Sequence, residues 1–383
     1  MPWVDERRMD DLDRIAALDS RGSLRALAGA GAQVRRGLVA ADDAGIGRVA
    51  GGERPRAVVV AALGGSAVVG DVLGVLAEAG SPVPVTVRHD APLPGWVGPL
   101  DLVIAVSQSG RAAGPLALAA EAARRGASLL TVGAAGSPLA DVAARARGIH
   151  VEVALPAPSS RTALWSLLTP VLLAADVLGI ADAPAVVLEK VADVLDAVAE
   201  ECRPSSESFV NPAKMLATGL DATVPMVLGD GALSGVAACR LAQMLSLTAR
   251  VPATHGVLPD AASTVVATLD GPFGSGMGDH REDGRDIFAD PYLDGPEVPR
   301  LGLVALRDPG IDAAGSHLVE AVLASAREAG AVVLEHRARE GHPVERLASL
   351  IGTTDFAATY LALGLGLDPS VSRHVTDLRD RTS

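Results

Sequence analysis

Residues 102–110 read Leu-Val-Ile-Ala-Val-Ser-Gln-Ser-Gly, and an alanine-rich stretch over 113–125 follows. The uninterrupted apolar run, rich in β-branched residues, predicts a strand buried on both faces. The polar quartet predicts a turn, and the alanines predict a helix. Residues 57–63, Ala-Val-Val-Val-Ala-Ala-Leu, repeat the pattern, ending in Gly64-Gly65-Ser66 before a helical stretch that reaches Glu78. Val83–Arg88, Ser128–Val132 and Ile149–Val153 supply three more strands, with a short helix from Pro138 onward. Strands separated by helices in this rhythm imply a parallel sheet covered on both faces.

The rhythm extends in both directions. Residues 1–50 read as amphipathic helix, with Leu12, Ile15, Leu18, Leu24 and Leu27 near helical spacing. After a helix over 161–178, Ile180-Ala-Asp-Ala-Pro184 marks a boundary. The second half begins with helices near 185–201 and 211–220. Val224–Leu228 is then a strand, Gly229-Asp230-Gly231 its turn, and 235–249 a helix. Val265–Leu269, Leu301–Leu306 and Ala331–Glu335 read as strands, and 312–329, 343–351 and 355–366 as helices. The expected organisation is a helical segment over 1–50, one α/β domain over 51–183 and a second over 184–383. The halves share an architecture without sequence repetition. Asp270 to Arg300, rich in Gly, Pro and Asp and without periodicity, is expected to be a loop insertion that is mobile and dispensable for folding.

Composition narrows the function. The chain has 383 residues, a size for two or three domains, and 49% of them are hydrophobic, enough for a sizeable core. A formal charge of −13 argues against nucleic-acid binding by bulk charge. The longest stretch free of charge, Gly126 to Ala140, is too short and too polar to cross a membrane. The acidic start lacks the basic region of a signal peptide, and Cys202 and Cys239 form no disulfide framework, so a soluble cytosolic protein is expected. Lys190 and Lys214 are the only lysines, and the abundance of arginine reads as compositional bias.

Ser107-Gln108-Ser109-Gly110 lies where backbone N–H groups, hydroxyls and the positive end of a helix dipole meet, a place for an anion. A plain strand-to-helix turn with Ser109 as an N-cap has the same signature. Gly64-Gly65-Ser66 makes a second such turn at the same sheet edge, and the pair favours a phosphate cradle. Neither turn carries the Gly-x-Gly-x-x-Gly of dinucleotide binding, and Gly229-Asp230-Gly231 lacks the third glycine. The histidines show no metal-ligand spacing, and no nucleophile elbow is present.

Gly64-Gly65-Ser66, Val69-Gly70-Asp71, Leu93-Pro94-x-Trp96-Val97, Ser107-x-Ser109-Gly110 and Ser137-Pro138-Leu139-Ala140 together resemble the first half of a sugar-isomerase (SIS) domain protein. The likeness is closest to the bifunctional phosphoglucose/phosphomannose isomerases. In the second half Asn211-Pro212-Ala213-Lys214, Arg240 and Asp355-x-x-x-x-Tyr360-Leu361-Ala362 agree with it. The resemblance implies two flavodoxin-like, doubly wound halves, a homodimer, and interconversion of aldose and ketose 6-phosphates without a metal or other cofactor. It implies that Gly64, Gly65, Ser66, Ser107, Ser109 and Gly110 hold the phosphate of a sugar. Arg161 falls where the family has the arginine that steadies the enediolate, and a solvated residue at a helix start would read the same way. Ala112 replaces a family threonine, and Arg111 beside it could add a cation.

Two departures bear on chemistry. The family's catalytic glutamate falls on Leu247, and its ring-opening histidine, contributed by the neighbouring subunit, falls on Ser263. Leucine carries no proton, and an unactivated serine is a poor acid or base. The expectation is a sugar-phosphate-binding protein with weak or absent isomerase activity and a regulatory or binding role. The alternative is an active isomerase that uses His255 and Asp260, which flank the site in sequence.

Overall fold

A computed structural model describes residues 4–153, 159–274 and 299–382. The insertion expected over 270–300 falls almost wholly outside the described residues. Four helices open the chain: α1 (Glu6–Asp10), α2 (Leu12–Leu18), α3 (Ser23–Ala28) and α4 (Ala30–Asp43). Asp5 and Asp11 start α1 and α2 by accepting backbone N–H groups that would otherwise lack partners.

The chain divides into two compact units. One comprises 25–197 and 341–348, and the other the described parts of 1–24, 198–340 and 349–383. The first holds β1 (Val58–Ala62), α5 (Val68–Glu78), β2 (Val85–Arg88), β3 (Leu102–Ser107), α6 (Ala113–Arg125), β4 (Ser128–Gly133), α7 (Pro138–Arg145), β5 (Ile149–Glu152) and α8 (Leu164–Val177). Its five strands are all parallel, in the order β2-β1-β3-β4-β5. Every residue of β1 and β3 is buried, as the apolar runs require of central strands covered on both faces. Val59, Ala61, Val103 and Ala105 pack with Leu118, Ala119 and Ala122 of α6 and Leu139 of α7. Helices α5 and α8 contact each other and the sheet.

Helix α9 (Ala185–Glu201) leads to the second unit: α10 (Pro212–Gly219), β6 (Thr223–Gly229), α11 (Ala232–Met244), β7 (Thr254–Val257), α12 (Ala262–Leu269), β8 (Arg300–Arg307), α13 (Ala313–Glu328), β9 (Val332–Arg337), α14 (Pro343–Gly364) and α15 (Arg373–Thr382). Its sheet is parallel, in the order β7-β6-β8-β9. Leu228, Leu303 and Ala305 meet Val265 and Leu269 of α12 and Val319, Val322 and Leu323 of α13 in one core.

Three elements differ from the sequence reading. Val265–Leu269 is the end of helix α12, not a strand. Its β-branched residues favour a strand locally, but Val265 and Leu269 stand four residues apart and bury one helical face. The strand in this region is β7, whose short Thr-His-Gly-Val sequence carries no apolar run. The helices read over 343–351 and 355–366 are one helix, α14. Gly352 and its threonines do not break it: the helix is buried on all sides here, and the Thr354 hydroxyl meets its own bonding need by donating to the Leu350 carbonyl at 2.8 Å.

Buried charge ties the second unit together. Arg240 of α11 grips Asp355 of α14, with Nε to Oδ1 at 2.9 Å and Nη2 to Oδ2 at 2.6 Å, both side chains being almost fully buried. Burial pushes the Asp355 carboxyl up, and Arg240 pulls it back toward the ionised form. Lys214 is wholly buried; its Nζ donates to Asp10 Oδ1 at 2.8 Å and to the carbonyls of Pro204 and Ser206 at 2.8 and 2.7 Å. Its ammonium also lies 5.2 Å from the Tyr360 ring centroid, within cation–π range. Burial raises the Asp10 carboxyl, but the bonds from Lys214 and Ser208 outweigh it and hold the group below its ordinary value. Removing one partner of the Arg240–Asp355 pair leaves a buried charge alone, so Arg240→Leu should cost about 3–5 kcal/mol. Adding Asp355→Leu should recover much of that loss. Urea unfolding of the two variants checks this, and equal losses in both would contradict it.

Candidate functional site

In the five-stranded sheet the chain passes from β1 outward to β2 and then returns to place β3 on the other side of β1. The helices that follow β1 and β3 therefore leave toward opposite faces, and a crevice opens beyond the carboxyl ends of these two strands. In open α/β sheets this is where ligands bind. The turns after β1 and β3 are the two serine- and glycine-bearing turns of the sequence.

The first turn runs Gly64–Ser66 as a single 3₁₀ turn, with Gly64 at φ +62° and Ser66 buried. Gly65 allows a close approach: a Cβ there would lie 2.9 Å from Ser160 Oγ and 3.1 Å from Arg161 Cγ. Arg161, half-buried, is thereby placed against the first turn. In the second turn Ser107 is buried, and its Oγ accepts the Ala112 N–H at 3.4 Å. Ser109 Oγ accepts the Arg111 N–H at 3.3 Å, an internal bond of the loop ahead of α6 rather than an N-cap of that helix. Gly110 has φ +64°, and its carbonyl accepts the Leu139 N–H at 3.1 Å. A third turn, after β4, is thus fastened to the second. Gln108, Ser109 and Arg111 line a depression of about 440 Å³ with Ala134, Gly136 and Ser137. Neither Ser66 nor Ser107 lines it; the two turns are neighbours because β1 and β3 pair, Ala62 with Val106.

Six of the sequence-picked residues, Gly64, Gly65, Ser66, Ser107, Ser109 and Gly110, are brought to one sheet edge with Arg161 beside them. His255 lies exposed on β7, and Asp260 lies exposed between β7 and α12; both belong to the other unit, as do Leu247 and Ser263. Leu247 is 39% exposed in the π-helical turn Leu245–Ala249 that ends α11. Arg240 and Lys214 have the structural bonds described above.

One residue at the crevice escaped the sequence reading. His89, just past β2, donates from Nδ1 to the carbonyl of Ala62, the last residue of β1, at 2.8 Å. The bond sets its tautomer, leaving Nε2 as the basic nitrogen. Its position directly after the strand that neighbours β1 was the available signal. Farther along the sheet, His150 shares a 2.8 Å bond between Nδ1 and the Thr131 hydroxyl, and burial lowers its basicity. The Cys202 thiol is buried and pushed up to about 12, which leaves it unreactive near neutral pH. Among the described residues no group of three or more His, Cys, Asp or Glu could hold a metal ion. One helical run, Ala232–Ala249, is long and apolar enough to cross a membrane, and 72% of it is buried inside the protein.

The fold defines a doubly wound α/β protein with a crevice at the switch point of its five-stranded sheet. Residues 209–382 match the model of the bacterial phospho-glucose isomerase C-terminal SIS domain. A bifunctional phosphoglucose/phosphomannose isomerase of Caldicellulosiruptor bescii is 27% identical over 215 residues, which are 56% of this chain and 63% of that protein. The match thus spans less than two thirds of that relative. A candidate phosphosugar isomerase of Silicibacter pomeroyi DSS-3 superposes with a TM-score of 0.64 at 22% identity, over 91% of this chain and 99% of that one. Another, from Clostridium difficile 630, gives 0.65 at 13% identity, over 94% and 97%. At such identities these two speak for the fold. Residues 209–382 thus match a SIS-domain family, and the chain resembles the bifunctional phosphoglucose/phosphomannose isomerases.

The glycines of the crevice are unequal. A Cβ at Gly110 would lie 2.1 Å from Ser137 Oγ, whereas one at Gly136, also left-handed at φ +57°, would meet nothing within 4 Å. Gly110→Ala should therefore cost about 2–4 kcal/mol, a backbone penalty plus overpacking, and Gly136→Ala about 1 kcal/mol. Thermal melts of the two variants should separate accordingly, and equal losses would show that Ser137 gives way freely.

Proposed function

We propose that the five-stranded unit binds a phosphorylated sugar, and that the chain retains this binding with weak or absent isomerase activity, acting in a binding or regulatory role. The observation that carries the reading is the meeting of Gly64–Ser66 and Ser107–Gly110 at the switch point. Backbone N–H groups of two left-handed turns, the hydroxyls of Ser66, Ser107 and Ser109, and the first turn of the helix behind each suit a phosphate dianion. Arg161, held against Gly65, supplies a cation for a developing enediolate oxygen.

The positions that the resemblance assigns to moving the proton between C1 and C2 hold no acid or base in this chain. In the resemblance that role falls on Leu247 and ring opening on Ser263. A placed acid or base supplies about 10²–10⁴-fold, so two missing groups leave little catalysis beyond orientation of the sugar. His255 and Asp260 carry the alternative reading, and nothing in their exposed positions favours it.

Glucose, fructose or mannose 6-phosphate should raise the melting temperature, since ligand at 100 times its Kd stabilises by about 2.7 kcal/mol. Ser109→Arg should abolish the rise. In coupled assays with glucose 6-phosphate and mannose 6-phosphate, the unmodified protein should turn over poorly or not at all, with Leu247→Glu/Ser263→His run beside it. Absence of any shift would remove the cradle; ordinary turnover would remove the loss of function and direct attention to His255 and Asp260.

The same reading includes a homodimer formed through the 247–264 segment, which presents Leu247 at its surface. Sedimentation at micromolar concentration should give twice the mass of the chain, and Leu247→Arg should shift it toward the monomer. A monomeric mass for the unmodified protein would end the dimer.

A further inference from the structure

The second sheet has the same strand-order reversal as the first, between β6 and β8, and therefore a second crevice. The ladders fix the correspondence. Ala62 pairs with Val106 in the first half, and Gly229 pairs with Leu306 in the second. One residue farther along each strand after the reversal stand Ser107 and Arg307. One residue past Gly229 stands Asp230, almost fully buried.

The groups around Asp230 are those that would surround a bound phosphate. The Asp308 backbone N–H donates to Oδ1 and Oδ2, each at 2.9 Å. The hydroxyl of Ser234, in the first turn of α11, donates to Oδ1 at 2.7 Å. The Arg307 guanidinium, with its side chain 5% exposed, brings Nε to 3.4 Å from Oδ2. That Nε makes no hydrogen bond, so its interaction with the carboxylate is one of charge. Gly229 permits the close approach, since a Cβ there would fall 2.4 Å from the Gly235 nitrogen in the first turn of α11. A backbone donor, a helix-start hydroxyl and a buried cation thus converge on one carboxylate at the carboxyl end of β6.

We propose that Asp230 is a built-in anion occupying the phosphate position of the second switch point, so that this half of the chain is closed to phosphate ligands. The side chain satisfies donors that would otherwise be buried without partners, and its charge answers Arg307 where an external anion would have to compete with a tethered one. Arg307 is balanced on its other side by Glu320 and Glu335, at 2.8 and 2.9 Å from Nη1, so an added dianion would also meet two carboxylates nearby. The proposal concerns the second unit alone and stands whether or not the first cradle is occupied.

The test uses the full chain and inorganic phosphate, read by hydrogen exchange on peptides covering 229–235 and 305–310. Exchange in the unmodified protein should not change at these segments. In Asp230→Ala, phosphate should slow exchange at these segments, a protection chloride does not give. Asp230→Ala/Arg307→Leu should lose the response. Protection of these segments by phosphate in the unmodified protein would overturn the proposal, as would an unresponsive Asp230→Ala or a double variant that still responds. If Asp230→Ala unfolds without phosphate, recovery by phosphate of exchange protection at 229–235 and 305–310, absent in Asp230→Ala/Arg307→Leu, supports the proposal, and failure to recover it overturns the proposal. Each readout is local to the second crevice, so failure of sugar-phosphate binding at the first is distinguishable.

Discussion

Reversal of strand order beside β1 and beside β6 is the constraint on which the rest depends. Parallel strands need crossover helices, and right-handed crossovers on both sides of a starting strand send those helices to opposite faces. The backbone N–H groups at the start of each helix then have no sheet partner and look into the crevice between them. Something must satisfy them. In the first half that task falls to short turns and serine hydroxyls around an open edge; in the second it falls to a carboxylate supplied by the chain.

The local sequences show how one topology yields two different edges. After β1 the chain has Gly64 in a left-handed conformation, Gly65 at a close approach and the small hydroxyl of Ser66, with no charged side chain among them. After β6 and β8 it has Asp230 and Arg307, which fill the equivalent space with paired charge. Ser107 places a small hydroxyl at the end of β3, whereas the guanidinium at the corresponding place in β8 is paired with a carboxylate. Gly229 and Gly110 serve a similar end, each removing a Cβ that would collide with the next turn.

The second unit buries cations at Lys214, Arg240 and Arg307, and each reaches a carboxylate. Such pairs contribute little net stability against an apolar alternative, but losing one partner is costly. They act as registry devices: Lys214 binds the N-terminal Asp10, and Arg240 binds the C-terminal Asp355, so residues far apart in the chain converge on one unit. Arginine, read from the sequence as compositional bias, includes Arg240 and Arg307, which are buried and paired with carboxylates, beside exposed residues such as Arg14. Burial is what distinguishes them, and burial is a tertiary property.

The sequence by itself determined the parallel strands, because β1 and β3 are short apolar runs rich in β-branched residues, each bounded by a turn and followed by a helix. It also determined the turn chemistry of Gly64–Ser66 and Ser107–Gly110, because left-handed backbone and a hydroxyl beside a helix start require those residue types. The tertiary structure decided what local preference leaves open. Val265–Leu269 became helical because its two large side chains are needed on one face against α13, a contact invisible to a short window. Gly352 stayed within α14 because buried helix outweighs a single residue's propensity. Arg161 came to Gly65, His89 to Ala62 and Arg307 to Asp230 through packing across elements. No spacing along the chain encodes such meetings, since the distance between two side chains is set by the sheet and not by the residues between them.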